Sequence, residues 1–193
     1  MPMGTALIRS SDCRLRVDLI GFRDIKEIEM DIDTARSRLG AIRSQRGQVK
    51  PEELDEIWRA LDTVRPEQIL GAWKGSEIDN GHPLCGKLEA AGWYGKTFNS
   101  LLDAKPLVMR GKDGELYSNT ELGRGEASLW MVEFRGESTA TMVYDGRPIF
   151  DHLKKVDDHT LLGMMNGKSH GDAIFQFDDG APLFTFVLDR NPA

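Results

Sequence analysis

The sequence predicts a mainly β protein, an antiparallel β-barrel preceded by a helical segment. Apolar residues recur at helical spacing before residue 65 and at alternate positions after it. The alternating stretches are short, and each ends at Gly, Asp or Pro residues that favour turns. From residue 124 onward no helical pattern separates these stretches, which argues against a parallel sheet. Closing an antiparallel sheet removes its exposed edges, so a barrel is preferred to an open sheet.

Residues 1–64 form the predicted helical segment. From Phe22, apolar residues follow one another at intervals of three and four, which places them on one helical stripe: Ile25, Ile28, Ile32, Ala35, Leu39 and Ile42. The stripe either packs against the rest of the chain or forms a homodimer through residues 22–45, and the first interpretation is preferred. Pro51 predicts the start of a second helix, with Leu54, Ile57, Trp58 and Leu61 on one face. Its end is predicted at Arg65-Pro66, because the residue before proline disfavours helix.

Residues 65–193 form the predicted barrel domain. The first strand is predicted over residues 68–77, where glycines interrupt it. Further strands are predicted at 106–110, 115–118, 127–135, 138–145, 149–156, 159–166, 173–177 and 182–189. Between the first two lies a predicted helical insertion, in which Leu84, Leu88 and Ala91 form an apolar face.

Composition and charge exclude several classes of function. The chain has 193 residues, of which 40% are hydrophobic and 29% are charged, as in ordinary globular proteins. Its net charge of −6 argues against a general nucleic-acid binder, which needs a basic surface. The two cysteines and four histidines form no pattern with metal-ligand spacing, so neither a metal nor a cofactor is expected. No signal peptide and no membrane span is recognised, and a soluble cytoplasmic protein is expected.

Several glycine and aromatic motifs resemble a known family. GAWKG at 71–75 is a G-x-W-x-G sequence, followed by GHPL at 81–84 and GWYGK at 92–96. Together they resemble the GXWXG-motif family. The stretches at 131–145 and 148–158 are similar to the companion C-terminal domain of unknown function that usually follows it.

The resemblance implies a fold more than a function. The G-x-W element is similar to the opening strand of lipocalins and related calycin barrels, in which the tryptophan plugs the closed end. Trp73 is therefore expected to be structural. In intracellular lipid-binding barrels a helical lid occupies the place of the insertion predicted here. The resemblance thus implies a calycin-like or lipocalin-like barrel, with a GXWXG part at about 65–123 and a companion part at about 124–193.

One group of candidate ligand contacts flanks the insertion. His82, Tyr94 and Lys96 are expected at the barrel mouth, where lysine and tyrosine can donate hydrogen bonds to a polar or carboxylate head group. The alternative is that His82 caps a turn, Tyr94 packs and Lys96 is solvated.

A second candidate group lies on adjacent predicted strands. The group consists of Arg135, Tyr144, Asp145 and Asp151, which either point inward together or form exposed pairs of little energetic value. Alternation with Met142 favours an inward Tyr144. Inside the barrel such a group could bind the polar end of a ligand or transfer protons.

Trp93, Trp130 and Met142 complete the predicted ligand-binding set, as apolar contacts. The leading hypothesis is the binding of a small apolar ligand, such as a fatty acid, in the barrel cavity. A second hypothesis is an isomerase, cyclase or hydratase acting on an apolar substrate, with Tyr144, Asp151 or His82 as acid or base. A third is a protein-interaction module that uses the N-terminal helix.

Overall fold

Two helices come first in the described part of the chain. The computed structural model describes residues 30–45, 47–169, 174–178 and 180–190. Helix α1 spans Ile32–Ser44 and helix α2 spans Pro51–Ala60. The Asp31 carboxylate accepts a 2.9 Å hydrogen bond from the amide of Thr34 and thereby caps α1. The predicted start of the second helix at Pro51 is confirmed.

Helix α2 ends earlier than predicted. Residues 22–29, where the first helix was expected to begin, lie outside the described residues. Helix α2 ends before the predicted Arg65-Pro66, because Leu61 is already extended and the next two residues pair with a strand. Ala35 and Leu39 of α1 are buried against α2 and the sheet, as the preferred interpretation expected. The homodimer through residues 22–45 stays a prediction.

The described residues form ten strands, two further short α-helices and one 3-10 turn at Pro66–Gln68. The strands are β1 (Asp62–Thr63), β2 (Gly71–Ile78), β3 (Trp93–Ser100), β4 (Asp103–Arg110), β5 (Leu116–Ser118), β6 (Ala127–Phe134), β7 (Glu137–Tyr144), β8 (Ile149–Lys155), β9 (Thr160–Gly167) and β10 (Phe184–Arg190). The short helices are α3 (Lys87–Ala90) and α4 (Thr120–Gly123).

Eight of the strands in the described residues close into a ring. Each is antiparallel to its neighbours, in the order β8, β7, β6, β4, β3, β2, β10 and β9, and β9 pairs back to β8. β1 extends the sheet from β8, and β5 pairs with β4. The junction between β4 and β6 is the narrowest, with Ala104 opposite Ala127. The prediction of a mainly β, antiparallel fold is confirmed.

The alternation of side chains along these strands separates an inner core from an outer one. The inner core takes residues from every strand of the ring, among them Trp93, Met142 and Phe186. The outer core lies between the ring and helices α1 and α2, where Trp58 of α2 and Leu162 of β9 belong to one buried cluster. Where the helices pack against it, the ring therefore carries apolar side chains on both its inner and its outer face.

The predicted insertion between the first two strands contains a strand. Helix α3 is a single turn, and residues 93–100 form β3, which pairs with β2 and β4. The register of β3 against β4 shifts on both sides of Gly95. These irregularities break the alternation by which a strand is recognised. The strand predicted at 173–177 is also absent from its described part, residues 174–177.

The G-x-W-x-G motif is explained by close packing. Trp73 is buried, its Nε1 donates a 2.8 Å hydrogen bond to the Ile69 carbonyl, and the Arg190 guanidinium lies 4.3 Å from its ring centroid. A Cβ at Gly75 would overlap the six-membered ring of Trp93. The second glycine of the motif therefore makes room for the indole of β3.

None of the helices in the described ranges is long and apolar enough to cross a membrane.

Candidate functional site

A buried lysine lies inside the ring of strands. Lys96 of β3 is 4% exposed, and its Nζ is 2.7 Å from Asp151 Oδ2 on β8. The same ammonium donates a 3.2 Å hydrogen bond to the carbonyl oxygen of Pro106. Its positive charge is thus neutralised by a carboxylate from the opposite side of the ring.

Aromatic rings surround this ammonium. Nζ of Lys96 lies 4.9 Å from the ring centroid of Phe186, 5.4 Å from that of Trp93 and 5.9 Å from that of Tyr144. The negative face of an aromatic ring attracts a cation, most strongly where water is excluded. The rings therefore help to keep a charged lysine in the interior.

The carboxylate of Asp151 is completely buried, and one of its two oxygens has partners among the described residues. Its Oδ2 meets Lys96 and also accepts a 3.4 Å hydrogen bond from the Tyr144 hydroxyl. Its Oδ1 has no hydrogen-bond partner among the described residues, and the same is true of the indole Nε1 of Trp93. Buried polar atoms are nearly always paired, so an unpaired acceptor and an unpaired donor around one lysine need an explanation.

Tyr144 is a proton donor in this environment. Burial, and then the negative charge of Asp151, raise the pKa of the Tyr144 phenol well above its ordinary value. The phenol therefore stays protonated at neutral pH. The cluster offers an ammonium, a carboxylate and a neutral hydroxyl in an apolar enclosure, which suffices to orient a polar group or to move a proton.

The sequence grouped these residues differently. It placed Lys96 with His82 and Tyr94, whereas the structure brings Lys96 to Asp151 and Tyr144. Tyr94 is half-buried, and the Arg110 guanidinium lies 4.8 Å from its ring centroid.

His82 is close to the cluster but does not join it. Its Nδ1 accepts a 3.0 Å hydrogen bond from the Leu84 amide, and its ring packs against Phe184 at 5.7 Å. Phe184 in turn lies 6.0 Å from Phe186, whose ring faces Lys96. Burial lowers the pKa of His82, so the imidazole is neutral at physiological pH.

Arg135 and Trp130 lie away from the interior. Arg135 is in the turn between β6 and β7, where its guanidinium is 2.7 Å from Asp55 of α2. Trp130 is 52% exposed on the outer face of β6, because the alternation places Ala127 and Leu129 inside. Neither residue meets the interior cluster, and the cation beside Asp151 is Lys96 in place of the expected Arg135.

Met142 and Trp93 lie in the interior, as the sequence analysis placed them. Met142 is fully buried and is the Cα partner of Asp151 in the pairing of β7 with β8. Sequence reasoning did not single out Phe186 or the Pro106 carbonyl as members of the site. The alternation along β10 indicated an inward Phe186, but nothing in the sequence pointed to a backbone carbonyl.

A second polar group lies on the outer face of the ring. His152 is buried, with Nδ1 2.9 Å from Thr141 Oγ1 and Nε2 3.0 Å from Asn166 Oδ1. Its ring stacks on Phe134 at a centroid distance of 3.9 Å. Burial lowers the pKa of His152. These contacts satisfy both ring nitrogens, as expected of a structural histidine.

Within the described ranges, no three His, Cys, Asp or Glu side chains are grouped so that they could hold a metal ion.

The fold and the interior cluster define a class: a mainly β protein whose closed ring of antiparallel strands surrounds a buried lysine–carboxylate–tyrosine group. Two family models match the chain, one described as GXWXG protein over residues 56–114 and one as a domain of unknown function, DUF4334, over residues 125–190. The chain belongs to the GXWXG family and also carries this companion domain of unknown function at its C-terminal end. The family expected from the motifs is thereby confirmed.

One solved structure is similar over most of its length. It is described as the crystal structure of a protein from Thermomonospora curvata, with 33% sequence identity and a TM-score of 0.69. The match covers 82% of this chain and 99% of that one. No curated protein matches the chain.

Proposed function

We propose that the ring of strands is a calycin-like barrel that binds a small, largely apolar ligand, with the polar end of that ligand at Asp151. The observation that carries the proposal is the buried Asp151 carboxylate, whose Oδ1 has no partner among the described residues. An apolar interior with a few converging polar groups is the usual design of a small-molecule site. The expected ligand is therefore held by its apolar body and oriented at the cluster.

Access to this interior requires movement. The segment between β2 and β3 covers the inner core with Leu84 and Leu88, which are 0% and 4% exposed. Lys96 and Asp151 are equally enclosed. Under this proposal the covering segment opens to admit the ligand, as a lid would.

Mass spectrometry of the purified full-length protein tests the proposal directly. Native spectra followed by solvent extraction should reveal a small apolar molecule at close to one per chain. Intrinsic fluorescence supplies a second readout, because added ligand should alter the emission of the buried Trp93. Trp93→Phe should lose that response, whereas Trp130→Phe, which changes an exposed tryptophan, should keep it. The proposal fails if nothing co-purifies and added apolar probes leave the wild-type emission unchanged.

A second candidate function is catalysis at the same place. It is favoured by the protonated Tyr144 hydroxyl 3.4 Å from Asp151, an arrangement able to donate and accept protons. Incubation of the extracted ligand with the protein, followed by NMR, would reveal an isomerisation, cyclisation or hydration. Tyr144→Phe should abolish such turnover, and Tyr117→Phe, at an exposed tyrosine, is the matched control. Unchanged turnover in Tyr144→Phe would remove Tyr144 from the mechanism.

A further inference from the structure

We infer that the polar end of the ligand is an uncharged group that both donates and accepts hydrogen bonds, such as an alcohol hydroxyl or an amide, and not a carboxylate. This inference rests on the proposed function, because it concerns the head group of a ligand inside the ring. It replaces the expectation of a fatty acid with a more specific chemistry.

The ion pair beside the proposed head group is already balanced. Lys96 and Asp151 form a buried pair at 2.7 Å, so the pair itself carries no net charge to offset a second anion. Arg147, which is also buried, donates to the Leu122 carbonyl and lies over the ring of Phe175, and its charge has the weakest of the influences on the pKa of Tyr144. A carboxylate placed beside Asp151 would be a buried charge next to a like charge, and such a charge is costly without a counter-ion.

The two unpaired atoms require opposite hydrogen-bonding partners. Asp151 Oδ1 is an acceptor and requires a donor, which an ionised carboxylate does not have. Trp93 Nε1 is a donor and requires an acceptor. The indole of Trp93 and the carboxylate of Asp151 both adjoin Lys96, so the unpaired atoms belong to two side chains that flank one ammonium. A hydroxyl or an amide carries both the donor and the acceptor that these atoms require.

The apolar side chains of the inner core determine which ligand body fits. Beyond the cluster, that core is made of apolar side chains, among them Leu129, Met142 and Phe186. These surfaces offer contact area and no further hydrogen bonds from their side chains. The ligand class that fits is a neutral alcohol or amide on a hydrocarbon body.

Three probes with the same hydrocarbon length test the inference on the wild-type chain. They are 1-decanol, decanoate and decane, titrated at neutral pH in competition with a fluorescent apolar dye. The alcohol should bind about tenfold or more tightly than the carboxylate and the alkane, because only it satisfies the buried polar atoms. In NMR spectra the indole N–H signal of Trp93, assigned by its loss in Trp93→Phe, should shift with 1-decanol and not with decane.

A charge variant sharpens the comparison. Asp151→Asn leaves the Lys96 ammonium without its counter-ion, so decanoate should gain affinity relative to 1-decanol. Asp145→Asn removes an exposed carboxylate and should keep the wild-type preference. If Asp151→Asn does not fold, the probe series on the wild type still decides.

Different results would contradict the neutral head group and the binding of a ligand inside the ring. Binding of decanoate as tightly as 1-decanol, or an unmoved Trp93 signal at saturation, would overturn the head-group inference and leave a ligand inside the ring. Failure of all three probes to displace the dye, with nothing co-purified, would overturn the proposed function itself.

Discussion

Replacing Lys96 with methionine should destabilise the protein far more than a lysine substitution usually does. The ammonium is 4% exposed and lies 2.7 Å from a carboxylate that is 0% exposed. Removing it leaves the buried carboxyl group of Asp151 with the Tyr144 hydroxyl as its remaining partner among the described residues. Breaking a buried pair in this way costs about 3–5 kcal/mol of unfolding free energy. For a chain of this size that corresponds to a fall in melting temperature of roughly 6–20 °C.

Urea denaturation followed by circular dichroism measures this change, with Lys74→Met as the matched control. Lys74 is exposed on the neighbouring strand, and its substitution should alter the unfolding free energy by no more than about 0.5 kcal/mol. The double variant Lys96→Met with Asp151→Leu removes both charges and should recover most of the loss, because an apolar replacement of a buried pair is often neutral. If Lys96→Met lowers the unfolding free energy no more than Lys74→Met does, Lys96 is not buried beside Asp151 and the proposed site is wrong.

Three further predictions concern packing and pH. Gly75→Ala should lower the unfolding free energy in urea by about 1–3 kcal/mol, because its methyl group would overlap the Trp93 ring. As the control, Gly40→Ala on the open face of α1 should raise the unfolding free energy by up to about 1 kcal/mol. Equal effects of the two substitutions would contradict close packing at Gly75. Because burial lowers the pKa of His152, this residue stabilises the fold above the pKa of an unfolded histidine, and that contribution is lost as pH falls through its folded pKa. His152→Gln should therefore flatten the loss of unfolding free energy between neutral and mildly acidic pH, and an unchanged slope would show that His152 titrates normally. Arg190→Gln should lower the unfolding free energy by about 1–3 kcal/mol, since it removes a 2.9 Å hydrogen bond to a backbone carbonyl and a cation–ring contact; a melting temperature equal to that of the wild type would refute this role.

The second half of the sheet could be predicted from sequence because its strands are short and bounded by strong turn residues. Strands β6 to β9 begin and end within two residues of the predicted positions. Strand β3 could not be predicted in this way. Its bulges on either side of Gly95 place two consecutive residues, Gly95 and Lys96, in buried positions. The sequence therefore shows neither the alternation of a strand nor the spacing of a helix.

The direction of side chains was harder to predict than the strands themselves. Trp130 was expected among the ligand contacts, but it lies on the outer side of β6 together with Phe134. Phe134 packs against Trp58 of α2, so the outer face is apolar as well. Hydrophobicity alone cannot distinguish inside from outside when both faces of a strand are covered.

Only some residues of the interior cluster were predicted to lie together. Tyr144 was expected to point inward, and it lies in the inner core with Met142. The pairing of Asp151 with Lys96 joins strands 55 positions apart in sequence, across the ring, which local patterns do not report. Arg135 was a plausible partner by position, but its backbone φ of 54° belongs to the turn before Gly136 and turns it toward α2.

The two cores share a wall that is a single strand layer thick. Along β9, Leu161 faces the interior and Leu162 faces the helices, and Val187 and Leu188 divide β10 in the same manner. A truncated chain beginning at residue 65 would therefore expose apolar side chains to water on the outer face of its ring. We expect such a fragment to self-associate even if every remaining strand forms, because it lacks the helices that cover the outer face of the ring.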